Sequence, residues 1–175
     1  MSRKLAGAGG VGDDEADTWG ETKQEGGEVR HFTISGPPRG KGRARSTRGG
    51  IHYTDKKTRM YESHVLDSYL RVYPDADPLT GPVQIEIAAY IQRPKNHYRT
   101  GAHADKLKDS APQFPAVTPD IDNILKSILD GLNKIAFIDD KQVVSIVAHK
   151  FYAISVPCVI VDLGDMIPLT PPQSL

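Results

Sequence analysis

Five aspartates, Asp120, Asp122, Asp130, Asp139 and Asp140, share the segment PDIDNILKSILDGLNKIAFIDDKQV (119–143) with only three lysines, Lys126, Lys134 and Lys141. The intervening residues are apolar enough to demand burial. Carboxylates crowded onto a buried element repel one another. The repulsion is relieved by shifted pKa values or by a bound cation, and a divalent metal is the usual one. Metal-assisted hydrolysis of a phosphate ester is the chemistry such a cluster would support.

Positioning these acids requires a helix and a strand. Ile121, Ile124, Leu125, Ile128, Leu129, Leu132, Ile135 and Ala136 recur at three- and four-residue steps, which predicts an amphipathic helix starting between Pro119 and Asp122. Thr118 is a candidate cap and Pro119 suits the first turn. Asp122, Lys126 and Asp130 then stack on a second face. Each helical residue turns about 100°, so Asp120 and Asp122 point about 200° apart in regular helix and cannot share a metal there. They can share one if Asp120 lies in an extended lead-in, where alternate side chains face the same way. Asp139 and Asp140 precede the β-branched run Val143–Val147, which places a third carboxylate at a strand entrance. Singly, each aspartate is equally well a cap or turn residue; the ensemble is what points to metal.

The pattern P-D-[ILV]-D-N-x-x-K, a helix, then D-D-x-Q-V resembles the RusA family of Holliday junction resolvases, with matching spacing throughout this stretch. The resemblance implies Asp120, Asp122 and Asp140 as metal-binding carboxylates and Lys126 as the catalytic lysine. Asn123, Asp139 and Gln142 would be supporting residues. It also implies a homodimer, because two strands of a near-symmetric four-way junction must be cut.

The rest of the chain reads as support. At 175 residues and 38% hydrophobic content, one domain with a real core is expected. The formal net charge is zero, yet residues 1–28 hold seven acids and three bases, whereas residues 39–71 hold nine bases and three acids. Neutrality therefore conceals a basic face. The single Cys158 excludes an internal disulfide. No run is long and apolar enough to span a bilayer and no signal-peptide pattern is present, so a cytoplasmic protein, of cell or phage, with no membrane partner is expected.

Residues 1–28 read as a disordered acidic tail, 29–164 as a RusA-like nuclease domain and 165–175 as a disordered C-terminal tail. A strand is predicted at 29–35. In the run RGKGRAR that follows, Arg39, Lys41, Arg43 and Arg45 fall on one side if the chain is extended and could track a phosphate backbone, with a turn at 48–50 closing a hairpin. A helix capped by Thr54 or Asp55 reaches Val72, burying Tyr61, Val65, Leu66, Tyr69 and Leu70; Lys56, Lys57 and Arg59 in its first turn make a phosphate site. Alternation from Val83 to Gln92 is the clearest strand. Its polar-face Glu86 is either a supporting carboxylate of the site or a solvated strand residue. The long basic loop 93–118, with His97, Tyr98 and Arg99, suits branched or partly unpaired DNA, and its histidines lack the partners of a zinc site. Residues 142–152 and 154–162 read as a hairpin, with Pro157 pushing the second strand to an edge.

The order β-β-α-β-α-β-β implies an α+β domain, a mixed sheet with two principal helices. The expected function is a Mg²⁺-dependent endodeoxyribonuclease that resolves four-way (Holliday) junctions by paired nicks, with Mn²⁺ substituting. The alternatives are a branched-DNA-binding protein that does not cleave, a nuclease preferring forks or flaps, and a metal-dependent phosphatase. The basic ribbon argues against the last, because a small substrate needs no extended row of cations.

Overall fold

Alternation decides the inward faces of the strands. In β1 (Val29–Ser35) Arg30, Phe32 and Ile34 are buried; in β4 (Val83–Ile91) Val83, Ile85, Ile87 and Ala89 are. The computed structural model describes residues 29–42, 45–46, 52–53 and 55–166. The tail expected over 1–28, Arg43, the turn at 48–50 and residues 167–175 lie outside them.

A four-stranded sheet has the order β1-β6-β4-β5, where β5 is Val143–Tyr152 and β6 is Cys158–Asp165. β6 runs antiparallel to both β1 and β4, and β4 runs parallel to β5. Two helices, α1 (Lys56–Val72) and α2 (Ile121–Leu132), cover one face and pack on the same core as Phe32, Ile34, Ile85, Ile87, Val161 and Leu163. β2 (Arg45–Ser46) and β3 (His52–Tyr53) form a separate antiparallel ribbon, which is the expected hairpin. The fold is α+β with a mixed sheet, as the element order implied.

Local chemistry sets the α1 start: the Asp55 carboxylate accepts from the Lys57 amide (2.8 Å) and the Thr58 hydroxyl (2.7 Å). Those bonds hold the Asp55 carboxyl below its usual range, the Thr58 hydroxyl contributing most. The helices cross closely at Gly131, where an added Cβ would stand 2.8 Å from the Glu62 carbonyl oxygen and 2.9 Å from the Val65 Cβ.

Several expectations are corrected. The strands at 143–152 and 158–165 are not a hairpin, because β4 lies between them and residues 153–157 bridge across its end. Two strand spacings are only about 10 Å, within reach of that connector. Pro157 precedes β6, which is interior; the edges are β1 and β5. Leu70 of α1 is exposed, while Thr58 and Ser68 are buried. α2 is preceded by Asp120, not Thr118, at the capping position, and it stops at Leu132, leaving Ile135 38% exposed. Glu86 faces the side of the sheet away from α2, opposite Asp162 in the register, so it is not near the acids of α2. β6 runs one residue past the expected domain boundary at 164.

The arrangement β4-α2-β5 is a parallel crossover, and its geometry governs the site. Parallel neighbours must be entered from the same end, so the connecting helix runs back against both. The first turn of α2 therefore lies at the exit end of β4 and β5, and its last turn returns to their entrance.

Candidate active site

At the exit end, the lead-in to α2 is clamped. The Lys150 ammonium, from β5, donates to the Val117 carbonyl (2.6 Å) and the Pro119 carbonyl (3.0 Å). On the other side the strap after β1 crosses α2. The Lys41 amide donates to the Asn123 carbonyl (2.8 Å), and a Cβ on Gly40 would sit 3.1 Å from that of Asn123. Asp120 has extended dihedrals (φ −70°, ψ 144°) and its side chain caps no helix amide. The carboxylate is thus free to face an open cleft of about 420 Å³, which Arg39 and Lys41 also line. Of the two arrangements open to Asp120 and Asp122, the structure has the extended lead-in.

Asp122, in the first turn of α2, pairs with Lys126 at 2.9 Å. The hydrogen bond from that ammonium is the main reason its carboxyl is held below the usual range. Asn123 Nδ2 lies 3.4 Å from Asp120 Oδ2, a long contact. The third expected partner on this face, Asp130, is taken by Lys41.

At the entrance end, D-D-x-Q forms a capping box. Asp139 Oδ1 accepts from the Lys141 amide (3.1 Å) and the Asp139 amide donates to Gln142 Oε1 (2.8 Å). The Lys141 amide, ahead of the Lys141 ammonium, holds the Asp139 carboxyl low. Gln142 Nε2 donates to the Leu79 (3.0 Å) and Gly81 (2.8 Å) carbonyls, which ties the turn to the start of β4. Asp139 and Gln142 are occupied in holding the turn, and Asp140 between them is exposed to solvent.

The two ends are far apart. From Val143 to Lys150 is seven strand steps, about 23 Å at 3.3 Å each, and the 12 residues of α2 span about 18 Å. Asp120 and Asp140 of one chain therefore stand roughly 20 Å apart. Among the described residues no three His, Cys, Asp or Glu side chains gather so as to hold a metal ion. A single protomer does not fit the expected carboxylate triad. The premise of acids crowded on a buried element also gives way: Asp120, Asp122 and Asp140 are exposed, and Lys126 meets the charge of Asp122.

The RusA endodeoxyribonuclease family matches this chain over residues 35–163, from the end of β1 into β6, and so includes both carboxylate-bearing turns. The chain belongs to the RusA endodeoxyribonuclease family. It is also similar to the uncharacterized protein YqaN of Bacillus subtilis (strain 168), with 29% identity over 124 residues, 70% of this chain and 87% of that protein. RusA proteins act on branched DNA, which gives the distribution of cations a purpose.

On this RusA domain Lys56, Lys57 and Arg59 are exposed along the first turn of α1. Arg45 is described by its backbone in β2. Lys41 is engaged with Asp130 but remains 38% exposed beside the cleft. The 93–118 loop is ordered. The Arg99 amide donates to the Lys106 carbonyl (2.8 Å), that of Lys108 to the His97 carbonyl (2.9 Å), and Tyr98 bridges to Leu107. His97 packs edge-on to Tyr152 at 5.4 Å, with Arg93 over the same ring at 4.0 Å. Arg99 is tied to Asp109 at 2.8 Å. The residues chosen in this loop for DNA contact thus also build its shape. Lys150, which clamps the lead-in, lies outside the expected set, and Arg39, expected only as part of the basic ribbon, lines the Asp120 cleft. A lysine in a strand with no other Asp, Glu, Lys or Arg was the available signal for Lys150. No helix among the described residues is long and apolar enough to cross a membrane.

Proposed function

We propose that this protein is a Holliday junction resolvase, a homodimer that introduces paired nicks into four-way DNA junctions with Mg²⁺ as cofactor. The observation that carries this reading is the pair of solvent-facing carboxylate turns at 120–122 and 139–140, both held rigidly by other residues, in a chain of an endodeoxyribonuclease family. Oxygen-only donors of this kind suit a hard divalent ion. One chain keeps its two turns at opposite ends of β5, so a second copy must bring its Asp140 to the Asp120 and Asp122 of the first. A two-fold axis then generates two equal sites, the number that a near-symmetric junction requires.

Within each site the chain's own residues have separable duties. Asp120 faces the cleft with Arg39 and Lys41, cations placed to hold a phosphate of the strand to be cut. Lys126 keeps Asp122 ionised and is close enough to stabilise charge building on a phosphate oxygen. The exposed cations at the start of α1 extend the positive path along the duplex arms.

The test is incubation of the pure protein with a labelled synthetic four-way junction, with Mg²⁺ or with EDTA. Symmetric nicks in Mg²⁺ alone are expected, and Asp140→Asn should bind the junction without cutting it. Mixing Asp120→Asn with Asp140→Asn should restore nicking, because one site of each mixed dimer is intact. Binding with no cleavage in Mg²⁺ would instead establish the reading of a non-cleaving branch binder, which the wide separation of acids within one chain favours. A preference for forks or flaps would appear in the same assay as faster cutting of those substrates.

A further inference from the structure

The two faces of the sheet are finished differently. α1 and α2 cover one, and on it Ile91 and Tyr152, register partners at the exit end of β4 and β5, turn inward. Side chains alternate, so the preceding pair, Tyr90 and Phe151, points to the opposite face, with His149 two residues earlier on the same side. Phe151 is the hub of an aromatic group there. Its ring stands 5.7 Å from that of Tyr90, 5.8 Å from that of His149, and 6.4 Å from that of Phe114 in the 93–118 loop. Tyr90, His149 and Phe151 are half-buried, whereas Phe114 at the outer end is 57% exposed. Its backbone is nevertheless held in place. Pro115 beside it is buried, the Arg93 guanidinium donates to the Pro112 carbonyl (2.9 Å), and the Lys150 ammonium donates to the Val117 carbonyl (2.6 Å). A large ring kept in solvent and backed by three others is a preorganised stacking surface.

We propose that Phe114, backed by Phe151, Tyr90 and His149, is a stacking platform for the unpaired bases of single-stranded DNA, a site apart from the acidic cleft. The inference rests on the nuclease reading above and deepens it by naming a substrate feature, an unpaired strand beside the cleavage point. Stacking on an aromatic ring suits any sequence, because every base has a π-face. Two placements select a nucleic acid as the occupant. First, Phe114 lies six residues before Asp120, hence at most about 20 Å from it, and Lys150 ties the segment between them to β5. A strand whose phosphate sits with Arg39 and Lys41 in the Asp120 cleft thus reaches the ring within a few nucleotides. Second, the loop that carries Phe114 exposes Lys95, Arg99, Lys106 and Lys108 against Asp105 and Asp109, a net positive surround that attracts a polyanion. Bases inside a paired arm are already stacked on one another, so the ligand is the unpaired strand of a fork, a flap or an opened branch point.

Binding measured in EDTA, where no cutting intervenes, tests the platform without reference to activity. By fluorescence anisotropy, Phe114→Ala is expected to weaken binding of a labelled oligothymidine strand about tenfold, the loss of one stacked base, and that of a blunt duplex by less than about twofold. The slope of log affinity against log salt should stay at the wild-type value, because no cation is removed. Phe114→Trp should bind the single strand as tightly as wild type. An abasic strand, which has the phosphates without the bases, should bind wild type and Phe114→Ala alike and weakly. Wild-type affinity of Phe114→Ala for the single strand, an equal loss on duplex and single strand, or undiminished binding of the abasic strand would overturn the proposal. So would a Phe114→Ala protein that keeps its DNA affinity and loses self-association in sedimentation, which would mark the patch as a protein contact. The expected loss in a protein that cuts no branched substrate in Mg²⁺ would uphold the platform and refute the nuclease reading. Cleavage in Mg²⁺ with single-strand binding unmoved by Phe114→Ala would do the reverse.

Discussion

Gln142 gives the most exacting check on the site, because a single neutral side chain holds the turn that presents Asp140. Gln142→Ala removes one bond accepted from the Asp139 amide and two donated to the Leu79 and Gly81 carbonyls. At about 1 kcal/mol net for each bond, less some relief from water at this partly exposed position, the loss is about 2 kcal/mol. With a urea slope of about 2 kcal/mol/M, the unfolding midpoint should fall by roughly 1 M at unchanged slope. Gln142→Glu is the sharper variant, since it keeps the shape and the bond from Asp139. It replaces both donated bonds with a carboxylate oxygen facing two carbonyl oxygens, so at pH 7 it should be no more stable than Gln142→Ala. The assay is urea unfolding followed by circular dichroism. A Gln142→Glu midpoint within about 0.3 M of wild type would refute the assignment of those two donors.

Gly131→Ala should destabilise the protein even though alanine favours helix by about 1 kcal/mol. The new Cβ would press on the Glu62 carbonyl and Val65, and overpacking costs about 1–3 kcal/mol; a higher melting temperature would mean that the helices do not cross as closely as described. Lys126→Met should raise the carboxyl midpoint of Asp122 toward the ordinary 3.8, because the lysine is the main cause that lowers it. A group whose folded pKa is lowered contributes stability that is complete above its unfolded value, about 3.9, and lost as pH falls through the folded one. Below about pH 4 the variant's stability should therefore depend less on pH. Carboxyl-detected NMR titration measures the midpoint directly, and an unmoved Asp122 would show that the pair does not exist in solution.

The sequence by itself determined what depends on neighbours along the chain. A strand at Val29–Ser35 was legible, and alternation from Val83 marked β4 and its inward face, since the two-residue period is a property of the strand alone. The cap of α1 could be narrowed to Thr54 or Asp55 for the same reason, and it is Asp55. The spacing of D-D-x-Q supplied the residues of a capping box whose bonds to the Asp139 and Lys141 amides close within four residues, although its hold on Leu79 and Gly81 could not be read. Periodicity says which face is buried and is silent on which strand lies alongside. Tertiary structure alone therefore placed β4 between β5 and β6 and turned an expected hairpin into a crossover. It also buried Arg30 of β1, whose guanidinium donates to the Tyr69 hydroxyl (2.6 Å) and the Asp77 carbonyl (2.9 Å), both distant along the chain. Most consequentially, it set the two acidic turns at opposite ends of β5. A helix that joins parallel strands must run against them, so residues close in sequence and alike in chemistry are carried a full strand length apart.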